Sequence, residues 1–189
     1  MTTIAAVQGP AWTVIGADAQ VSDENRKYQL PDDFGKLVRN GGYIFGIAGD
    51  LRAVNLLTHD FDPPAYARGK GVSLDKFMVS KFIPKLKQCF DGCSYGKDGE
   101  QGSLVMVCVE GITYEIGPYY ECIRDEHGLY AIGSGSQFAL GAMHVLAPKR
   151  GSLTIEKAES MVKAALMASV AYDSSSCEPI TMLLQVSRS

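Results

Sequence analysis

Short apolar runs at residues 3–6 and 11–15 flank Gly9-Pro10 and predict a β-hairpin at the start of the chain, because a Gly-Pro pair is a strong turn signal. Gly16-Ala17-Asp18-Ala19-Gln20-Val21 prolongs the second strand with small residues that let another backbone come close. Residues 23–33 are polar and read as a loop or irregular strand. A second hairpin is predicted from residues 36–39 and 43–48. It turns over Asn40-Gly41-Gly42, where glycine tolerates the positive φ of a tight turn.

The period then changes. Leu51, Val54 and Leu57 fall on one side of a helix over residues 51–59, with Asp50 as its N-cap. That helix ends before Asp62-Pro63-Pro64, and residues 65–71 read as an exposed connection. Leu74, Phe77, Met78, Phe82 and Leu86 recur at helical spacing over residues 73–90. Pro84 lies inside this run and predicts a kink or an early break. Residues 89–102 are polar and Gly-rich, the mark of a flexible loop. Strand-like runs follow at 103–109, 113–117, 120–124 and 129–132, the last ending in Gly133-Ser134-Gly135-Ser136. Two more helices are predicted over 137–146 and 154–172, the second with Ala158, Met161, Val162, Ala165, Leu166 and Ser169 on one face. Residues 180–186 form a closing strand.

The order is strands, two helices, strands, two helices, strand. Alternating βαβ units are missing, which excludes a doubly wound parallel sheet. Two antiparallel sheets packed face to face, each covered by a helix pair, bury every apolar face. The predicted fold class is therefore α+β, a four-layer αββα sandwich. With 189 residues and no repeat or linker, the chain reads as one domain, 1–189.

Composition removes several functions and adds none. Apolar content of 46% and charged content of 21% are ordinary for a globular protein. A net charge of −3 offers no basic stripe for nucleic acid. No stretch approaches the roughly 20 apolar residues that cross a bilayer, so no membrane association is expected. Met1-Thr2-Thr3-Ile4-Ala5-Ala6-Val7 lacks the basic start of a secretory signal, and a cytoplasmic location is the expectation. Five cysteines without framework spacing fit a reducing compartment. Cys89 and Cys93 could sit one helical turn apart, but no histidine or second cysteine pair stands at ligand spacing. Neither a metal nor another cofactor is expected.

Six segments, in order along the chain, carry a resemblance. Thr2-Thr3-Ile4-Ala5-Ala6-Val7 is similar to the mature N-terminus of proteasome β-type subunits and of the HslV peptidase. Gly16-Ala17-Asp18-Ala19-Gln20 resembles their Gly-x-Asp-x-Gln segment, and Phe34-Gly35-Lys36-Leu37 the stretch with the catalytic lysine. Phe45-Gly46-Ile47-Ala48-Gly49 resembles the segment whose glycine amide forms the oxyanion hole. Ala131-Ile132-Gly133-Ser134-Gly135-Ser136 is close to their Ile-Gly-Ser-Gly, and Tyr172-Asp173-Ser174-Ser175-Ser176 to Arg-Asp-x-x-Ser. Each motif alone is weak; their shared order across the whole chain is specific. The family belongs to the Ntn hydrolases, whose nucleophile is the first residue of the mature chain.

The resemblance implies a threonine endopeptidase. Thr2 would be both nucleophile and base once Met1 is removed, because a peptide nitrogen has no basic lone pair whereas a free α-amine titrates near pH 8. Lys36 would lower the cost of the alkoxide, Asp18 would hold the lysine, and the Gly49 amide would bind the oxyanion. Ser134, Asp173 and Ser176 would surround the Thr2 amine. Val21, Ile47 and Ala53 fall where the family builds its primary specificity pocket and imply cleavage of polypeptides after hydrophobic residues. Read without the motifs, Lys36 is a surface lysine, Asp18 a turn carboxylate, Gly49 a turn glycine, and Asp173 with Ser176 the polar end of a helix.

The resemblance also implies a homo-oligomeric ring, single or as two stacked rings. A AAA+ ATPase is the candidate partner, since this chain has no Gly-x-x-x-x-Gly-Lys motif of its own. Two departures stand out: Cys177-Glu178-Pro179 replaces the family's Gly-Gly after the last serine, and the hairpin between Lys36 and Gly49 is shorter. The alternative is a catalytically silent subunit that keeps the sandwich as a ring component of a larger assembly such as a virus particle. A third reading is an Ntn amidase for a small substrate.

Overall fold

The computed structural model of the protein describes residues 2–22, 25–31, 34–69, 71–96, 100–148 and 153–187. Met1, whose removal would free the Thr2 amine, lies outside them, as do parts of the stretch 23–33 expected as loop and residues 97–99 of the expected Gly-rich loop.

Strands β1 (Thr3–Gln8) and β2 (Trp12–Asp18) form the first predicted hairpin, with Gln8 opposite Thr13. Beyond it, β3 (Gln20–Ser22) pairs with β4 (Lys27–Gln29) as a separate ribbon. The second hairpin is β5 (Leu37–Asn40) with β6 (Tyr43–Ala48). Helix α1 (Leu51–His59) begins as expected at Asp50, whose side chain accepts the Arg52 N–H at 2.8 Å.

The helix expected over 73–90 is seen as α2 (Leu74–Phe77), a π-helical turn at Met78–Phe82 and α3 (Ile83–Gly92). Ile83 N–H reaches back five residues to the Met78 carbonyl. Pro84, with no N–H to give, follows directly, so the widened turn is the break that proline imposes. The helix runs on to Gly92, which shortens the loop expected over 89–102; Tyr95 and Gln101 within that stretch are buried.

The chain continues through β7 (Leu104–Val109), β8 (Ile112–Ile116), β9 (Cys122–Ile123), β10 (Leu129–Gly133), α4 (Ser136–Leu146), α5 (Ile155–Tyr172) and β11 (Ile180–Val186). The strand expected over 120–124 shrinks to two residues. Tyr120 adopts φ +63° and closes a turn onto the Gly117 carbonyl, so pairing starts only after it.

Among the described residues the strands form one sheet of order β10-β1-β2-β11 and another of order β5-β6-β7-β8-β9, both antiparallel. Alternation along β1 explains the layers. Ile4 and Ala6 point between the sheets, where they meet Ile15, Ile44 and Met106. Ala5 and Val7 point the other way, onto Met143, Val162 and Leu166 of α4 and α5. Phe45, Val105 and Val107 cover the far face of the second sheet with Leu57, Phe82, Leu86 and Phe90. This is the predicted αββα sandwich. A strand buried on both faces must be apolar throughout, and each large aliphatic chain sunk there contributes about 1.5–3 kcal/mol.

Candidate active site

The start of β1 lies between β2 and β10, so Thr3 faces Gly133 on one side while Ile4 faces Ala17 on the other. That register brings Asp18, at the end of β2, against the first residues of the chain. Asp18 Oδ1 accepts the Thr3 N–H at 2.8 Å and the Lys36 ammonium at 2.7 Å. Oδ2 accepts the N–H groups of Gln20 at 2.9 Å and Cys177 at 3.3 Å. Asp18 is 3% exposed and Lys36 2%, so this is a buried ion pair. Lys36 arrives there because its backbone carbonyl holds the Ile47 N–H, which places its stem just ahead of β5. Burial pushes the Lys36 ammonium below the ordinary lysine value of 10.5, and the neighbouring Asp18 carboxylate only partly opposes it.

A second polar group gathers where β10 enters α4 and where α5 ends. Ser134 Oγ donates to Asp173 Oδ2 at 2.8 Å, and Ser176 Oγ donates to the same oxygen at 2.6 Å. Asp173 Oδ1 takes the Ser175 N–H at 3.3 Å. A carboxylate only accepts, so both serine protons point at Asp173. Ser176 must then receive its 2.7 Å hydrogen bond from Thr3 Oγ1. Ser134 also lies 3.4 Å from the Thr2 carbonyl, with its proton given to the shorter, charge-assisted contact. Thr2 itself is buried, at 5% exposure.

Thr2 and Thr3 thus sit between the Lys36–Asp18 pair and the Ser134–Asp173–Ser176 group. Among the described residues Lys36 Nζ makes its hydrogen bond to Asp18. Gly49 caps β6 with φ +137°, a conformation open essentially to glycine alone, and Ser103 and Gly102 press on it from behind. Of the expected substrate-binding residues, Ile47 and Ala53 are buried together in the aromatic-rich core, while Val21 stands half-buried on the separate β3–β4 ribbon.

Several residues of the site escaped sequence reading. Thr3 joins the two polar groups, its N–H on Asp18 and its hydroxyl on Ser176. Gly135 has no room for a side chain, since a Cβ would overlap Thr3 Oγ1. Ser169, counted as part of the α5 core face, donates to the Gly135 carbonyl at 2.9 Å. Only the Gly-Ser-Gly-Ser run hinted at such crowding. Cys177, where the family has glycine, serves through its backbone amide, which leaves Pro179 outside the hydrogen bonding of Asp18. Among the described residues no group of three or more His, Cys, Asp or Glu is placed to hold a metal ion, and no helix is long and apolar enough to cross a membrane.

No protein-family model matches the chain, and no curated protein matches its sequence. Solved structures do match. BPH from Thiobacillus denitrificans in complex with epoxomicin superposes with a TM-score of 0.75 at 20% identity, covering 100% of both chains. A second Thiobacillus denitrificans BPH structure gives 0.74 at 19% identity over 98% of each. Eukaryotic HslV from Trypanosoma brucei gives 0.68 at 23% identity over 97% of this chain and 98% of its own. At these identities the likeness speaks for architecture, and end to end the chain has the αββα fold of HslV.

Proposed function

We propose that this chain is an N-terminal threonine peptidase that hydrolyses peptide bonds with Thr2 after removal of Met1. One observation carries the reading: the buried Lys36–Asp18 ion pair and the partly exposed Ser134–Asp173–Ser176 group meet at the first two threonines. A fold needs neither group there. Burying an ion pair at a strand start costs desolvation, and such pairs concentrate where chemistry uses them.

The roles follow from the hydrogen-bond directions. Because Asp173 draws the Ser134 proton, the free lone pairs of Ser134 can accept from a Thr2 ammonium and hold it beside the hydroxyl. With an unperturbed pKa near 8, that amine takes the hydroxyl proton, directly or through a water, as Thr2 Oγ1 attacks the scissile carbonyl. The buried Lys36 charge stabilises the developing alkoxide, and Asp18 fixes where that charge points. The Gly49 amide receives the tetrahedral oxyanion, a contribution of about 3–4 kcal/mol in comparable sites. The amine then protonates the leaving nitrogen, and water releases the acyl group by the same route in reverse.

The fold of HslV supports assembly of this chain into a single or double homo-oligomeric ring, with unfolding supplied by a separate AAA+ ATPase in the cytoplasm. The apolar, half-buried Val21 supports cleavage after hydrophobic residues, whereas Ile47 and Ala53, at 2% and 0% exposure, are held in the core.

Intact-mass measurement of the purified protein tests the proposal. Loss of one methionine and a single covalent adduct with epoxomicin are expected, the adduct vanishing in Thr2→Ala. An epoxyketone needs both a hydroxyl and a free amine. Complete retention of Met1 with no adduct would overturn the peptidase and leave a structural ring component in its place.

A further inference from the structure

The turn that carries Gly49 is clamped from both ends. Ala48 is paired with Leu104 in the sheet. On the other side, Asp50 N–H donates to Ser103 Oγ at 3.0 Å. A Cβ on Gly49 would stand 2.7 Å from that same oxygen, so the serine also bears directly on the turn. Ser103 Oγ is held in turn by a 2.8 Å hydrogen bond with the Tyr95 hydroxyl. Both residues are buried, at 3% and 5% exposure.

Tyr95 is well fixed for this task. Its ring meets Phe90 edge-on with centroids 4.8 Å apart, and its N–H bonds the Phe90 carbonyl at 2.8 Å. The segment before it is tied to the first turn of α1, because the Arg52 guanidinium donates to the Cys93 and Ser94 carbonyls. Ser103 N–H bonds Gln101 Oε1 at 3.1 Å, while Gln101 Nε2 bonds the Gly117 carbonyl at 3.1 Å. A phenol therefore sits at the end of a rigid support, behind an amide whose direction matters.

We propose that Tyr95 is a positioning residue for the oxyanion-binding amide of Gly49 and acts through Ser103; this rests on the reading of Gly49 given above. The Tyr95 hydroxyl holds Ser103 Oγ, Ser103 Oγ holds Asp50 N–H, and that fixes the peptide plane after Gly49. With Ala48 already fixed in the sheet, the Gly49 N–H is aimed before substrate arrives. An amide preorganised in this way stabilises the oxyanion without reorganising during the reaction.

Tyr95→Phe removes one oxygen and leaves the ring on Phe90. Hydrogen exchange of the Asp50 amide is expected to accelerate about tenfold, the size of one neutral hydrogen bond, while the Ile47 amide in β6 is unchanged. For a peptide substrate kcat falls up to about tenfold with KM unchanged, since the contact is made to the transition state. Ser103→Ala gives the same pattern at least as strongly, and adding Tyr95→Phe to it has no further effect. Unchanged Asp50 exchange overturns the support. Faster exchange with unchanged kcat overturns the catalytic role, and additive losses overturn the route through Ser103. Should the protein cleave no peptide and bind no epoxyketone, the peptidase reading and the catalytic role fall together, and Asp50 exchange alone still decides whether Tyr95 holds the turn.

Discussion

Removing the Asp18 carboxylate and removing the Lys36 ammonium break the same 2.7 Å ion pair, yet the two changes are expected to cost the fold very different amounts. Asp18→Ala frees the backbone N–H groups of Thr3, Gln20 and Cys177 and leaves the lysine buried without its partner. Breaking one side of a buried pair costs about 3–5 kcal/mol, and the freed donors place this variant at the upper end. Lys36→Met keeps the volume of the stem and all three amide hydrogen bonds to the carboxylate. What is lost is one charge-assisted hydrogen bond of about 1.5–3 kcal/mol, but the ammonium's desolvation, which outweighs the pull of Asp18, is lost with it, so the net change is expected near zero. Urea unfolding at pH 7 measures both, at matched protein concentration because any self-association would make stability concentration-dependent. A loss for Lys36→Met equal to or larger than that for Asp18→Ala would refute the reasoning, since the backbone amides would then not be carrying the carboxylate.

The lowered pKa of Lys36 gives a second prediction, with a definite sign. Between its folded value and the unfolded 10.5, the unfolded chain binds a proton that the folded chain lacks, so stability rises with pH in that window and is flat below it. The difference in urea midpoint between wild type and Lys36→Met should therefore grow in favour of wild type as pH climbs towards 10.5, and a falling difference would contradict it. Gly135→Ala tests the crowding at the site. Its φ of −87° suits alanine, so any effect is steric: the new Cβ overlaps Thr3 Oγ1 and stands 2.9 Å from Ser169 Cβ. A loss of about 1–3 kcal/mol and slowed epoxomicin labelling are expected. Gly141→Ala in α4, where a Cβ meets nothing within 4 Å, should leave labelling unchanged and gain about 0.5–1 kcal/mol.

The elements were legible where a local rule suffices. Asp50 announced α1 because a carboxylate before an apolar-periodic run satisfies free helix amides, and all six residues expected on the α5 face are buried. Pro84 announced trouble in its helix, but not its form: whether a helix bends, breaks or widens into a π-turn depends on what packs around it. Tyr95 reads as loop in sequence because its burial comes from Phe90 and Ser103, neither of which advertises the contact. Only the order of motifs points to the candidate site residues; periodicity by itself reads Lys36 as a surface lysine.

By itself, then, the sequence determined the order of strand and helix blocks, the two hairpins and the two-sided burial that requires an αββα sandwich. These are consequences of period and turn chemistry, which act over a few residues. Tertiary structure alone decided that Asp18 would meet Lys36, that one carboxyl oxygen of Asp173 would collect two serine protons, and that Thr3 would tie both groups together. Those contacts join residues up to 173 positions apart. A buried polar group takes its partner from whatever the packed sheets bring within hydrogen-bond reach, and no local pattern records that.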